Sequence, residues 1–192
     1  MLRGAQLIAA LRKIATISMN STLVRNVPLF ALIGNQPLQF LYTSGKPNRF
    51  NLSRTNRLYL SKDERTAREE RRRLLAGLPN QHAPYVTFFA KVRLRKVLDL
   101  EDLNIRRILR LSDAELFADW RTAGTPVDTQ TLGEAVAYDT RITAIRYSSV
   151  AARESGFPGT NAVIFRDKIV NPDSVEVFGD NGKIVERLPS VI

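Results

Sequence analysis

The chain has 192 residues, of which 44% are hydrophobic and 25% charged, and a formal net charge of +10. That composition suits one globular domain with a substantial core and excludes a disordered tail, a collagen-like repeat and a disulfide-stapled scaffold. The absence of cysteine excludes Cys-ligated zinc and thiol nucleophiles, and any His-based metal site or Ser-His-Asp triad would rest on the single histidine, His82.

The positive charge is concentrated at the start. Residues 1–62 carry nine basic residues and no acid, whereas the rest carry twenty basic and nineteen acidic residues. A basic first third points to an anionic partner: nucleic acid, a phosphorylated small molecule, an acidic protein or a membrane surface. A merely solvated basic face is the plain alternative.

Residues 1–20 read as an amphipathic helix, with Leu7, Ile8, Leu11, Ile14 and Ala15 at helical spacing beside Arg12 and Lys13. The apolar run Leu7–Leu11 is too short for a signal-peptide core or a membrane span. The expectation is a helix packed on its own domain or on a partner, ahead of a domain spanning 21–192. An acid-free transit peptide is the competing reading. No other segment approaches membrane-spanning length, so a soluble, cytoplasmic protein is expected.

Pro28, Gly34, Pro37, Gly45 and Pro47 break Val27–Asn51 into loops and short extended pieces. Arg57–Ser61 reads as a strand. Ser61 and Glu64 match a capping box opening a helix over Lys62–Leu75, which Gly77 and Pro79 end. Tyr85–Val97 alternates, with Val86, Phe88, Ala90, Val92 and Leu94 on one face and Thr87, Lys91, Arg93 and Arg95 on the other. Two short helices fall within 101–122, the second offering Ser112 with Glu115 as a capping box. Thr129–Tyr138 is helical. Ile142–Tyr147, Ala162–Phe165 and Val175–Phe178 read as strands. Helix and strand do not alternate regularly, which favours α+β.

Helical spacing separates two adjacent acids. Glu69 has Arg65, Thr66, Arg72 and Arg73 at three and four positions, a solvated face. Glu70 has Thr66, Ala67, Arg73 and Leu74, a partly apolar face that turns inward. An inward carboxylate needs a partner or a purpose. A Glu70–Arg73 surface ion pair is the plain alternative.

The segments Gly45-Lys46-Pro47-Asn48-Arg49-Phe50-Asn51, Tyr59-Leu60-Ser61, Thr66-Ala67-Arg68-Glu69-Glu70, Thr129-Gln130-Thr131-Leu132-Gly133, Tyr147-Ser148-Ser149 and Asn161-Ala162-Val163-Ile164-Phe165 follow one another in order. With the long strand ending Val97-Leu98-Asp99-Leu100, and with Trp120, the series resembles the RES-domain family. The resemblance runs from about Arg25 to about Val177. It implies an ADP-ribosyltransferase-like mixed sheet with flanking helices, and a toxin that degrades NAD by cleaving the nicotinamide–ribose bond. It also implies a cognate antitoxin with a helix-turn-helix-type domain, and an oligomer formed with it. By position, Arg49, Tyr59, Glu70 and Ser149 match the family's catalytic groups, and Arg25 matches an upstream arginine. Phe50, Lys46-Pro47-Asn48, Arg54-Thr55-Asn56 and Ser148 depart from the family pattern in loop geometry.

Chemistry suits these assignments. Cleaving a nicotinamide–ribose bond passes through an oxocarbenium-like centre that a carboxylate such as Glu70 can stabilise. Arg49 and Arg25 can fork onto a pyrophosphate. The Tyr59 ring, facing away from Leu58 and Leu60, can stack on nicotinamide or sit in the core. Ser149 can hydrogen-bond the substrate or cap a following helix. Asn161 reads as structural, Gln130 as the start of a helix, and His82 has no role. NAD is expected as substrate with no cofactor, no metal and no direct nucleic-acid or membrane partner. A protein ADP-ribosyltransferase is one alternative. A basic nucleic-acid-binding module is another, although no helix-turn-helix, RRM, KH or zinc-finger signature is present.

Overall fold

The strand that begins at Tyr85 runs on to Asp99, past a break in the alternation at Arg95–Leu98 where its pairing with the neighbouring strand shifts register, and the sheet is built around these fifteen residues. A computed structural model describes residues 1–32, 41, 43, 46–52, 55, 57–124, 126–138, 141–179 and 181–189. Gly34, Pro37, Gly45, Arg54 and Asn56 lie outside the described residues. Within these residues the fold is α+β, as expected, with one mixed sheet. The elements in chain order are α1 (Gly4–Lys13), β1 (Ile17–Pro28), β2 (Leu58–Ser61), α2 (Glu64–Leu75), β3 (Tyr85–Asp99), α3 (Leu103–Leu109), α4 (Asp113–Leu116), α5 (Asp128–Tyr138), β4 (Ala144–Ser148), α6 (Val150–Glu154), β5 (Thr160–Ile164), β6 (Ser174–Phe178) and β7 (Ile184–Leu188).

β1 runs antiparallel along β3, from Ile17 opposite Val97 to Pro28 opposite Tyr85. On its other edge β3 pairs with β6 and, in parallel, with β4. A parallel pair needs a long crossover, and α3, α4 and α5 supply it. β4 pairs with β5, β5 with β2 and β2 with β1, so five strands close into a ring, while β7 extends β6. The ring is narrowest between β1 and β2, where Val24 opposite Ser61 is the one described pair.

Period-two alternation sends each strand's residues to two cores. In β5, Ala162 and Ile164 join Leu23, Leu58, Leu60, Val92 and Val177 in one. Val163 joins Leu7, Leu11, Leu109, Leu132, Val136 and Ile145 in the other, where the helices cover the sheet.

Three sequence expectations need correction. Residues 17–20 open β1 rather than ending a helix, because Ile17 and Met19 alternate with exposed Ser18, Asn20 and Thr22. A boundary at residue 20 therefore cuts a strand. The helix before it is α1 alone, buried at Leu7 and Leu11 and packed on α3 and α5. Asp63, not Ser61, caps α2, its carboxylate accepting from the Thr66 N–H at 2.8 Å, since Ser61 still belongs to β2. β7 went unread. The Ser112–Glu115 capping box forms as expected.

Gly133 lets α5 approach the turn at Phe50: a Cβ there would sit 1.9 Å from the Phe50 carbonyl oxygen. Gly133→Ala is expected to cost about 1–3 kcal/mol by overpacking, lowering the melting temperature by roughly 2–4 °C per kcal/mol. A thermal melt at wild-type temperature would show that the approach is not needed.

Candidate active site

The cleft opens where β1 and β2 part. It has a cavity volume of about 140 Å³ and is walled by Arg25, Arg49, Tyr59, Glu70, Tyr147 and Asn161. Arg71, Arg73 and Arg121 stand at its margin, and Glu70 is the one acid among its lining residues. Such a cleft attracts anions. Arg25 projects between the diverging strands, and its Nη1 donates to the Tyr59 carbonyl at 2.8 Å. Burial pulls its pKa down to about 10, so it stays charged at neutral pH.

Arg49 is presented by a tight turn. Asn48 and Asn51 exchange backbone hydrogen bonds at 3.0 and 3.3 Å. The turn is tied from both sides. The Tyr59 hydroxyl accepts from the Phe50 N–H at 2.8 Å and donates to Asn51 Oδ1 at 2.9 Å. From α5, Gln130 Nε2 donates to the Asn48 carbonyl at 3.0 Å, and Glu134 Oε1 accepts from the Leu52 N–H at 3.1 Å. Arg49 itself is 5% exposed. Its Nη1 donates to the carbonyls of Leu116 and Ala118. Its Nη2 is buried with no hydrogen-bond partner among the described residues. Burial lowers its pKa, and the nearby Glu70 charge opposes that shift. A buried guanidinium with an unused donor is costly unless something else accepts from it.

Glu70 is half-buried on α2, and its Oε1 receives two donors at 2.6 Å, Ser149 Oγ and Asn161 Nδ2. Among the described residues no hydrogen bond reaches Oε2. Glu69 pairs with Arg72 and accepts from Ser155 Oγ, each at 2.9 Å; its side chain is 18% exposed, so it is not on the solvated face expected for it. The ion pair considered for Glu70 does not form, because Arg73 Nε binds Glu154 at 2.8 Å.

Arg25, Arg49, Tyr59, Glu70 and Ser149 thus come together, although not all face the cavity. Ser149 is 1% exposed. Its Oγ accepts from the Ala152 N–H at 3.0 Å, so it caps α6 while it holds Glu70. The capping reading of Ser149 is realised, and the same hydroxyl donates to Glu70 rather than standing ready for a substrate. The Tyr59 hydroxyl is likewise spent on the turn, which leaves only its ring to the cavity. Burial raises its pKa above the usual phenol range.

Sequence reasoning missed two wall residues. Asn161, read as structural, touches Glu70. Tyr147 is buried against Phe50, ring centroids 4.7 Å apart, and burial with the Glu70 charge raises its pKa. Tyr147 and Asn161 face each other across β4 and β5. Their strand alternation with Ser149 and Val163 was the available signal. Gln130 opens α5 as expected but also holds the arginine turn. His82 is exposed and is not among the residues lining the cleft. Among the described residues no group of His, Asp and Glu is placed to hold a metal ion.

The family model for the RES domain matches residues 31–183. No curated protein sequence matches the chain. A chain from the crystal structure of the M. tuberculosis MbcT-MbcA toxin-antitoxin complex superposes with a TM-score of 0.63 at 15% identity, covering 96% of this chain and 92% of that one.

Tyr59→Phe removes the acceptor of the buried Phe50 N–H. The expected cost is about 1–3 kcal/mol, read by urea unfolding. Unchanged stability would mean that the turn does not depend on this hydroxyl.

Proposed function

The chain belongs to the RES-domain family, and from that membership and the cleft's chemistry we propose that it is a toxin enzyme that cleaves the nicotinamide–ribose bond of NAD. One observation carries the reading: a half-buried carboxylate, Glu70, is anchored through one oxygen in a cleft whose other charged lining residues are all arginines. Cleavage releases nicotinamide with the bonding electron pair. Positive charge is left on the ribose C1 and ring oxygen, and an acceptor oxygen then adds there and sheds a proton. Glu70 stabilises that charge as it develops.

The remaining residues serve binding. The unused Arg49 Nη2 takes a pyrophosphate oxygen, with Arg25 behind it and Arg73 and Arg121 at the rim. The Tyr59 ring packs against the substrate. Ser149 acts through Glu70. The described cavity is smaller than the 300–1,000 Å³ typical of small-molecule sites, so it receives the reacting end of the dinucleotide and the rest lies over the basic rim.

The proposed partner is an antitoxin that covers the cleft, carrying a helix-turn-helix-type domain. The toxin–antitoxin complex among the structural relatives supports a partner of this class. A cytoplasmic location follows from an intracellular substrate.

Incubating the purified protein with NAD is expected to release free nicotinamide. Glu70→Gln is expected to slow release by at least about a hundredfold, and Arg49→Lys to raise KM more than it lowers kcat. The second product separates hydrolysis, which leaves ADP-ribose, from transfer to phosphate or to a protein. No release by the wild type, or equal release by Glu70→Gln, would end the proposal.

A further inference from the structure

The strand register lines up Ser61, Asn161 and Tyr147 side by side across β2, β5 and β4. Directly opposed residues share a face of the sheet. This polar row ends at the cleft, where Asn161 is 4% exposed and Ser61 5%. Ser61 Oγ donates to Asn161 Oδ1 at 2.8 Å, and Asn161 Nδ2 donates to Glu70 Oε1 at 2.6 Å.

The orientation of the amide follows from these contacts. Turned the other way, Oδ1 would meet a carboxylate oxygen, two acceptors with no proton between them. Ser61 supplies the one donor that suits Oδ1. Hydrogen bonds to an ionised acceptor are short and strong, and two of them on one oxygen fix the carboxyl plane. Oε1 is spent on this anchor. Oε2 is left to the cavity.

We infer that Asn161 is a positioning residue: aligned by Ser61, it holds Glu70 Oε1 together with Ser149 so that Oε2 alone faces the reacting ribose. The inference rests on the NAD-cleaving role proposed above and deepens it. Ser149 does two jobs, capping α6 and holding Glu70, and the Asn161 amide, which also reaches the Tyr147 hydroxyl, gives Glu70 Oε1 its second donor. The charged and titratable groups that face Glu70 are Arg49 from the turn, Tyr147 from β4 and Arg73 from its own helix. None of these donates to Oε1.

The test measures steady-state NAD cleavage against pH, together with a carbon-13 NMR titration of the Glu70 carboxyl. Both are run on the full chain as wild type, Asn161→Asp, Asn161→Ala and Ser61→Ala. Asn161→Ala is expected to lower kcat about tenfold to a hundredfold with KM within about twofold, the pattern of a lost contact to a charged group in the transition state. Asn161→Asp, nearly the same shape, sets two carboxyls against each other. The acid limb of its kcat profile and the Glu70 resonance are both expected to move to higher pH by about one pH unit or more. Ser61→Ala is expected to lower kcat less than Asn161→Ala does. A Glu70 titration in Asn161→Asp that overlays the wild type, or an Asn161→Ala variant with wild-type kcat, overturns the inference. If Asn161→Ala does not fold, the near-isosteric Asp variant decides. The resonance reads Glu70 whether or not NAD is cleaved. A wild type inert toward NAD therefore removes the enzymatic reading alone, and an unmoved resonance removes the anchor alone.

Discussion

A single phenol hydroxyl joins the two halves of the cleft. Tyr59 stands on β2, part of the closed ring, and its oxygen holds both Phe50 and Asn51 in the turn that carries Arg49. That bond ties the turn directly to the sheet, beside the Phe50–Tyr147 ring contact and the hydrogen bonds from α5. The phenol is buried, so the bond is made in a medium where an unmatched donor costs far more than in water. The close approach of α5 at Gly133 seals the turn from the other side. Together with the bonds from Gln130 and Glu134, the hydroxyl and this close approach hold the turn that places the cation.

The anionic half is built by different means. Glu70 arrives on a helix, and its anchors arrive on the end of β4 and on β5. The register of the sheet does the aligning: Asn161 stands opposite both Ser61 and Tyr147. The gap between β1 and β2 is what makes room for a ligand, and Arg25 occupies part of it by donating to a backbone carbonyl that faces the gap. The cleft is thus a local failure of ring closure, furnished with charge.

Much of this was readable beforehand, for physical reasons. Local periodicity marks what one element does by itself. The alternation through Val86–Leu94 located β3, and helical spacing marked Glu70 as turned inward. The polar strand β1 was hidden because Ser18, Asn20 and Thr22 carry no strong apolar signal and follow a helix of real amphipathicity. What no local pattern reveals is which distant groups meet. That Tyr59 would spend its hydroxyl on Asn51, that Ser149 would cap a helix and bind an acid at once, and that Asn161 would face a carboxylate are all products of long-range pairing. The family resemblance picked out residues that the fold brings together, and the folded chain shows what holds them.

The parts of the cleft are spread along the chain from Arg25 to Asn161. Nascent polypeptide leaves the ribosome from its beginning, so the acid and the arginine turn emerge well before β4 and β5. Until β5 is made the ring stays open, and the carboxylate lacks Asn161, one of the two groups that hold it. The cleft is therefore incomplete through most of the chain's own synthesis and is assembled only as its last quarter is threaded in.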